Sequence, residues 1–304
     1  MVTVARTNGL GLGQGTRPFY GVLSFAHMTT TDALRAALAG DGDARTLTLD
    51  RAFQGLPETA HGGSVLAAFD VVGGRTTPRT LRGHYLKRVP LGAPLALRVT
   101  RADGGAQFTL AEGATTLVQG ALEDSPPPPA DVIEAPTAEA MTLPISRGCF
   151  ACGSDNPLGL AVQLRADDTA VGGTWTPRPG FRRTDGTLSP LALTTLLDEA
   201  AFWLGALATG ESGMTTELRV ALHADAPADQ PVTIAGARAT VRPRAGDARY
   251  WDTTISARDA AGRVVASAAI TFVAVRGAAR RLATAMLAVN DAAVIRRVFP
   301  AYVQ

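Results

Sequence analysis

The sequence predicts an α+β protein built from two copies of one helix-and-sheet unit. A ten-residue pattern that begins at His61 recurs without a gap at Ser189, 128 positions further along the chain. Each copy is a small-residue turn followed by an apolar stretch of helical character, and alternating runs typical of strands follow each copy. One helix with several long antiparallel strands makes an α+β unit. The two copies differ, which predicts that the units have different roles.

The first unit is predicted over residues 28–123. Thr30 or Thr31 is expected to cap a short helix that continues through residue 39. Residues 45–53 alternate as a strand that leads into the first copy of the repeat. After that helix, strands are expected at residues 80–89, 94–101, 107–111 and 115–122.

The second unit is predicted over residues 145–276, after a stiff, proline-rich linker at residues 124–144. A helix is expected from Pro190 to about residue 207. The expected strands are residues 160–165, 169–175, 216–224, 232–242, 250–258 and 264–275. A flexible extension at residues 1–27 and an amphipathic tail at residues 277–304 complete this layout.

Composition favours a soluble globular protein over several other classes. With 46% hydrophobic and 18% charged residues, the chain can form packed cores and is not of the disordered class. A net charge of +2 does not favour nucleic acid or an acidic membrane surface as a partner. No uninterrupted apolar run reaches the roughly 18 residues of a membrane helix. Two cysteines without a clear export signal predict a reducing, cytoplasmic location.

An aspartate ends each copy of the repeat, Asp70 in the first and Asp198 in the second. At ~100° and ~1.5 Å per residue, a helix places its ninth residue roughly 180° around the axis and about 13 Å along it. Neither aspartate can therefore serve a ligand held at the start of its own helix. On neighbouring antiparallel helices, the spacing predicts two shared sites, the His61 turn with Asp198 and the Ser189 turn with Asp70.

The two shared sites are chemically unequal. Free N–H groups at a helix start can stabilise an oxyanion, and Gly62 and Gly63 allow a substrate to approach the backbone closely. In the second copy Pro190 has no N–H to donate, although Ser189 followed by proline is a good helix start. Only the first turn is expected to take part in chemistry.

Three sequence elements together resemble the hotdog-fold thioesterases, in particular the phenylacetate-pathway-type branch. They are the His-Gly-Gly turn with its spaced aspartate, the run Leu-Leu-Asp-Glu-Ala at residues 196–200, and a cysteine motif at residues 149–160. That motif reads Cys-Phe-Ala-Cys-Gly followed by Asn-Pro-Leu-Gly-Leu. The resemblance covers residues 45–275 and implies two tandem hotdog units, a double hotdog in which an antiparallel sheet wraps each long helix.

The resemblance implies hydrolysis of an acyl-CoA or acyl-carrier thioester at one composite site between the units. By this analogy His61, Gly62 and Gly63 polarise the thioester carbonyl, and Asp198 is the nucleophile or general base. Thr216, eighteen residues beyond Asp198, matches an assisting hydroxyl. Arg79 stands where the first unit would carry that hydroxyl, which weakens an Asp70 site. Further candidates are Glu199, Thr215 and Gln54 as auxiliary groups and Arg182 and Arg183 as contacts to coenzyme phosphates.

Several alternatives remain open from the sequence. His61 could simply cap its turn, and Asp198 with Glu199 could form a solvated helix face or an ion pair. The chain could then be a non-catalytic binder of acyl thioesters, or a hydratase or dehydratase on the same scaffold. The Cys149–Cys152 pair looks like half a zinc site, but no second cysteine pair exists, so no metal and no cofactor are expected. A redox disulfide and a buried turn are the other interpretations, and the tandem unit could form a homodimer.

Overall fold

The computed structural model describes residues 29–102 and 104–303, so the extension predicted at residues 1–27 lies outside the described residues. The helices are α1 (Thr30–Ala36), α2 (Gly62–Gly73), α3 (Pro190–Thr209), α4 (Ala278–Met286) and α5 (Ala292–Val298). Strands β1 to β7 are Leu38–Ala39, Ala44–Leu47, Arg79–Tyr85, Leu95–Ala102, Gly105–Glu112, Thr115–Glu123 and Met141–Thr142. Strands β8 to β14 are Arg165–Ala166, Ala170–Trp175, Gly213–Leu222, Val232–Ala237, Arg242–Pro243, Tyr250–Arg258 and Val264–Ala274.

The strands form one 14-stranded sheet in the order β1-β2-β4-β5-β6-β3-β10-β14-β13-β11-β9-β8-β7, with β12 beside β13. Strands β3 and β10 pair antiparallel, with Leu81 opposite Val220, and they join the strands of the two halves. Each half contributes one long helix, α2 or α3, that packs on this sheet. The α+β class and its duplicated arrangement are therefore confirmed.

Helices α2 and α3 begin and end at the signals that the sequence carries. His61 stands at the N-cap of α2 with its Nδ1 3.2 Å from the Gly63 nitrogen, and α3 starts with Pro190 at its first position after Ser189. Each helix ends at a glycine in the left-handed conformation, Gly74 with φ 66° and Gly210 with φ 67°. These boundaries fix where along α3 the first turn of α2 lies.

The two helices approach each other closely at Gly63. A Cβ atom added there would lie 2.6 Å from the Thr194 carbonyl oxygen and 2.6 Å from the Thr195 Cα, so only glycine fits. Thr194 Oγ1 donates to the Gly63 carbonyl at 2.9 Å across the contact. Gly62 faces Asp198, whereas Gly63 faces the preceding turn of α3, as expected for antiparallel helices. This contact sets the start of α2 beside the middle of α3.

Two predicted strands are wrong over most of their length. Residues 45–53 form the strand Ala44–Leu47 and then a 3₁₀ turn at Arg51–Phe53, because the Asp50 carboxylate caps that turn by accepting from Ala52 N–H at 2.9 Å. Of residues 160–165, only Arg165 enters a strand.

The alternation in the second of these segments reflects burial rather than sheet pairing. Leu160, Val162 and Leu164 are all buried in the core. However, the N–H groups of Leu160 and Val162 bond to carbonyls of the cysteine motif, at Phe150 and Ala151, instead of to a neighbouring strand. The sequence pattern therefore identified the buried face but not the hydrogen-bond partner.

The amphipathic tail forms α4 and α5 and packs on the second half. Asn290 fixes it by accepting from the Ile145 N–H at 2.8 Å and donating to the Ile145 carbonyl at 2.7 Å. Leu282 and Met286 of α4 are buried. The tail therefore belongs to the folded core rather than to a loose extension.

Helix α3 is long and apolar enough to cross a membrane by length and composition, with a mean hydropathy of 1.4. It carries Asp198 and Glu199 near its middle, and 83% of the tested window is buried inside the fold. Its position is that of a core helix.

Candidate active site

A cleft lies where the start of α2, the middle of α3, the end of β3 and the start of β10 meet, with α4 on one side. Its volume is about 850 Å³ when the open mouth is included. Polar groups on its wall include His61, Gly62, Tyr85, Cys149, Asp198, Glu199 and Thr215. The apolar wall includes Leu56, Val89, Phe202, Trp203, Leu282 and Met286. One wall of the cleft can thus support chemistry and another can hold an apolar group.

Asp198 is held in this cleft by groups from both halves of the chain, and it is only 5% exposed. Its Oδ2 accepts from the Gly63 N–H at 2.9 Å, and its Oδ1 accepts from Thr215 Oγ1 at 2.6 Å. The Nδ1 of His61 lies 3.2 Å from Oδ2. The carboxylate is therefore fixed in one orientation at the start of α2, as the repeat spacing predicts.

His61 lies between two carboxylates. Its Nε2 is 3.6 Å from Glu199 Oε2, and Glu199 Oε1 accepts from Trp203 Nε1 at 2.9 Å. Burial lowers the pKa of His61, but the contact with Glu199 and the negative charge of Asp198 outweigh burial and raise it to about 9. At 3.6 Å the Glu199 contact is a charge interaction more than a hydrogen bond.

A protonated His61 is consistent with the hydrogen bonds around it. The Gly63 N–H is nearer to Asp198 Oδ2, at 2.9 Å, than to His61 Nδ1, at 3.2 Å. Both ring nitrogens of an imidazolium are donors, so one can face Asp198 and the other Glu199. An imidazolium at this position places a positive charge and a proton inside the cleft.

Among residues 29–102 and 104–303, no hydrogen-bond acceptor is found for the Gly62 N–H, so this donor remains for a substrate oxygen. It stands at the first position of α2, where a backbone N–H has no intrahelical acceptor. The Gly63 N–H, expected from the sequence to hold the substrate carbonyl as well, instead binds Asp198. A Cβ on Gly62 would lie 2.8 Å from Asp198 Oδ2, so this position too requires glycine.

Tyr85 is a site residue that the sequence reasoning missed. Its phenol donates to the Gly62 carbonyl at 2.6 Å and so fixes the Gly62–Gly63 peptide, whose N–H binds Asp198. Burial, together with the charge of Asp198, raises the pKa of Tyr85 well above its ordinary value, which keeps the phenol a donor. The only sequence signal was its position at the end of an alternating strand.

The structure corrects the position of the assisting hydroxyl. Thr215, not Thr216, donates to Asp198, whereas Thr216 Oγ1 donates to the Thr271 carbonyl on β14 at 3.2 Å. The pairing of β10 with β14 shifts register between Thr215 and Glu217, which makes Thr216 the extra residue of a bulge. Counting eighteen residues from Asp198 leads to Thr216, because the bulge cannot be recognised from the sequence.

Three further candidates lie in the described part of the chain but not on the wall of the cleft. Gln54 Oε1 accepts from the Glu58 N–H at 3.3 Å and stabilises the turn before α2. Arg182 is exposed, and Arg183 pairs with Asp185 at 3.0 Å in the loop before α3. The cationic side chains that do border the cleft include Lys87 and Arg88.

The second shared site does not form. Asp70 makes a buried, two-point ion pair with Arg79, with N–O distances of 2.5 and 2.7 Å. Asp70 is 7% exposed and Arg79 is 3% exposed. The Asp70 carboxylate is paired with Arg79, and Pro190 has no N–H to donate. This end of the helix pair therefore has a structural role.

The cysteine motif is a loop of the second half that lies against the first half. Asn156 fixes it, since Nδ2 donates to the Ala52 carbonyl at 2.7 Å and Oδ1 accepts from the Leu158 N–H at 3.1 Å. A Cβ on Gly153 would lie 2.2 Å from the Cys149 carbonyl oxygen, which explains that glycine. The loop thereby brings two thiols to the wall of the cleft.

Cys149 and Cys152 are both free and buried. The ligand-type atoms of His61, Cys149 and Glu199 lie within 4.8 Å of one another. These three residues could approach a metal ion, but structural zinc takes four protein ligands. The expectation that no metal is needed stays a prediction.

No family model and no curated protein matches the sequence. Solved structures do match over most of its length. A protein of Thermobifida fusca YX, provisionally described as a thioesterase II, is 16% identical with a TM-score of 0.58, over 82% of this chain and 99% of its own. The tesB protein of Mycobacterium avium subs paratuberculosis is 12% identical with a TM-score of 0.57, over 80% and 98%.

A third similar structure is a conserved protein with a hot dog fold from Alicyclobacillus acidocaldarius. It is 14% identical with a TM-score of 0.54, over 80% of this chain and 98% of its own. At such identities the likeness concerns the fold, and the chemistry must be argued from the cleft itself.

Proposed function

We propose that this chain, which has the hotdog fold, hydrolyses acyl thioesters at one composite site between its two halves. The observation that carries the proposal is the position of Asp198, held by the Gly63 N–H and Thr215 at the start of α2, where the Gly62 N–H has no intrahelical acceptor. A carboxylate and an oxyanion donor at one point in a largely buried cleft are what acyl transfer to water requires.

The carbonyl oxygen of the thioester is placed at the Gly62 N–H. The positive end of the α2 dipole adds to this donor, and charge that develops on the oxygen is stabilised more strongly in a buried site than in water. Tyr85 holds Gly62 in position from its other side, through the bond to the Gly62 carbonyl. Donor and dipole therefore favour the tetrahedral intermediate over the bound thioester.

Asp198 either attacks the carbonyl carbon itself or takes a proton from the water molecule that attacks it. The imidazolium of His61, 3.2 Å from Asp198, supplies a proton for the thiolate that leaves. Lys87 and Arg88 border the cleft and are suited to the phosphates of an acyl-CoA. The apolar wall, with Phe202 and Leu282, receives the acyl group.

The test is an assay of purified protein against acetyl-, octanoyl-, palmitoyl- and phenylacetyl-CoA, followed by loss of the thioester absorbance. Hydrolysis of at least one ester that is abolished in Asp198→Asn supports the proposal. If none is hydrolysed while calorimetry shows that the esters bind, the chain is a non-catalytic acyl-thioester binder. Hydrolysis at an unchanged rate in Asp198→Asn contradicts the proposed chemistry.

A further inference from the structure

Two thiols open onto the cleft without a role in the hydrolysis described above. Cys149 and Cys152 both line it, although each is only 5% exposed at its surface. They stand three positions apart in the same tight loop. If the two cysteines served only as small apolar residues in the core, neither would need to line the cleft.

The surroundings of Cys149 differ from those of Cys152. The Cys149 Sγ accepts from the Ala151 N–H at 3.3 Å and lies in the cluster of His61 and Glu199 polar atoms, all within 4.8 Å of one another. The proximity of Glu199 opposes a negative charge on either sulfur. Cys149 nevertheless has a backbone hydrogen-bond donor and an adjacent imidazolium, which are conditions that activate a thiol.

The titration of the pair follows from these contacts. Interaction with Cys152 lowers the pKa of Cys149, with the His61 charge acting in the same direction, although burial and Glu199 oppose them. The same interaction, burial and the charge of Cys149 raise the pKa of Cys152 well above its ordinary value. Cys149, which accepts from the Ala151 N–H and lies beside His61, is thus the better placed nucleophile of the two.

We infer that Cys149 is an acyl acceptor, which takes the acyl group from the bound thioester by thiol exchange before water releases it. Cys149, His61 and Asp198 then form a nucleophile, proton donor and orienting carboxylate in series. The inference rests on the proposed function for its substrate, an acyl thioester. It also assigns Asp198 the role of general base rather than nucleophile.

The exchange balances without any further reactant. Cys149 attacks the carbonyl carbon as a thiolate, paired with the imidazolium of His61, and the carbonyl electron pair moves to the oxygen at the Gly62 N–H. The carbon–sulfur bond to the substrate thiol then breaks, and the leaving thiolate takes the proton of His61. One thioester is converted into another, so no oxidant or reductant is involved.

Water completes the cycle. Asp198 takes a proton from water as its oxygen attacks the carbonyl carbon of S-acyl-Cys149, and the cysteine sulfur leaves as thiolate. The products are a carboxylate and two protons, of which one returns to His61 and the other passes from Asp198 to solvent. Replacing Asp198 should therefore leave the first step working and stop the second.

The test is intact-protein mass spectrometry of the full chain after incubation with octanoyl-CoA or phenylacetyl-CoA and an acid quench. Asp198→Asn should accumulate one acyl mass, mapped to the peptide with Cys149 and removed by neutral hydroxylamine. Asp198→Asn combined with Cys149→Ala should lose the adduct. Asp198→Asn with Cys152→Ala should keep the adduct, because Cys149 is still present. This variant is a matched control, since Cys152 is equally buried in the same loop.

Two results would overturn the inference: an adduct on no peptide or on Cys152 alone, or hydrolysis by Cys149→Ala at the wild-type rate. Iodoacetamide labelling of the wild-type protein removes any dependence on variant folding. Cys149 should be alkylated before Cys152 and protected by octanoyl-CoA, and the reverse order counts against the inference. The proposed function fails separately, if the wild type acylates Cys149 but never turns over.

Discussion

His61 Nδ1 lies 3.2 Å from Asp198 Oδ2, although the two residues come from different halves of the chain. The nine-residue spacing in the repeat predicts this contact, because it excludes Asp198 from a site at the start of its own helix. The distance in the structure agrees with that expectation. The two halves therefore depend on each other for any chemistry in the cleft.

The close contact of the two helices should not tolerate a side chain at Gly63. Gly63→Ala would place a methyl group 2.6 Å from backbone atoms of α3, which cannot move away without shifting the helix. We expect destabilisation by about 1–3 kcal/mol or more, measured by urea denaturation. Gly148→Ala is the control, because its added Cβ would lie 3.4 Å from the flexible end of Gln54. Equal stability of both variants would contradict the described helix contact.

The charge on His61 should make part of the stability dependent on pH. Because its pKa is raised from 6.5 to about 9, its stabilising contribution is complete below pH 6.5 and is lost as pH rises through 9. The difference in unfolding free energy between wild type and His61→Gln should thus shrink by on the order of 1 kcal/mol or more between pH 6 and pH 10.

His223 provides a control of opposite sign for that measurement. Burial lowers its pKa, so the unfolded state binds the proton more readily and His223 costs stability as pH falls. The difference between wild type and His223→Gln should change in the direction opposite to that for His61→Gln. Parallel pH curves for wild type and His61→Gln would show that His61 is not held as an imidazolium.

The bulge in β10 predicts which threonine assists Asp198. Thr215→Val removes the 2.6 Å hydrogen bond to Asp198 Oδ1 with little change of shape, and we expect kcat to fall roughly tenfold or more. Thr216→Val removes only a bond to the Thr271 carbonyl and should leave kcat close to wild type. Steady-state kinetics on a hydrolysed acyl-CoA decides between them. A larger loss of kcat in Thr216→Val than in Thr215→Val would instead support Thr216 as the assisting hydroxyl, as the sequence predicts.

The repeat made the helix pair predictable from sequence, because its spacing and its capping residues are local properties. The contact of His61 with Asp198 followed from that spacing. Tyr85 and Cys149 were not predictable as neighbours of these residues, since both reach the cleft through long-range packing. Tyr85 depends on the pairing of β3 with β10, and Cys149 depends on how Asn156 fixes its loop to the first half. The helical tail over the cleft was likewise visible only as an amphipathic segment.

The final prediction concerns the inequality of the two aspartates of the repeat. Asp198→Asn should reduce turnover by on the order of a hundredfold or more, as expected for loss of a general base or nucleophile. Asp70→Asn should leave the turnover of the folded protein nearly unchanged, because Asp70 binds Arg79 rather than facing the cleft.

In stability the order should be reversed: Asp70→Asn, which keeps its turnover, should lose free energy of unfolding. Asp70→Asn leaves the buried guanidinium of Arg79 without its counter-charge, which is expected to cost about 3–5 kcal/mol in unfolding free energy. Kinetics must therefore be normalised to the folded fraction, measured by circular dichroism under assay conditions. Equal losses of turnover after this normalisation would mean two working sites, and would show that Pro190 and Arg79 do not disable the second one.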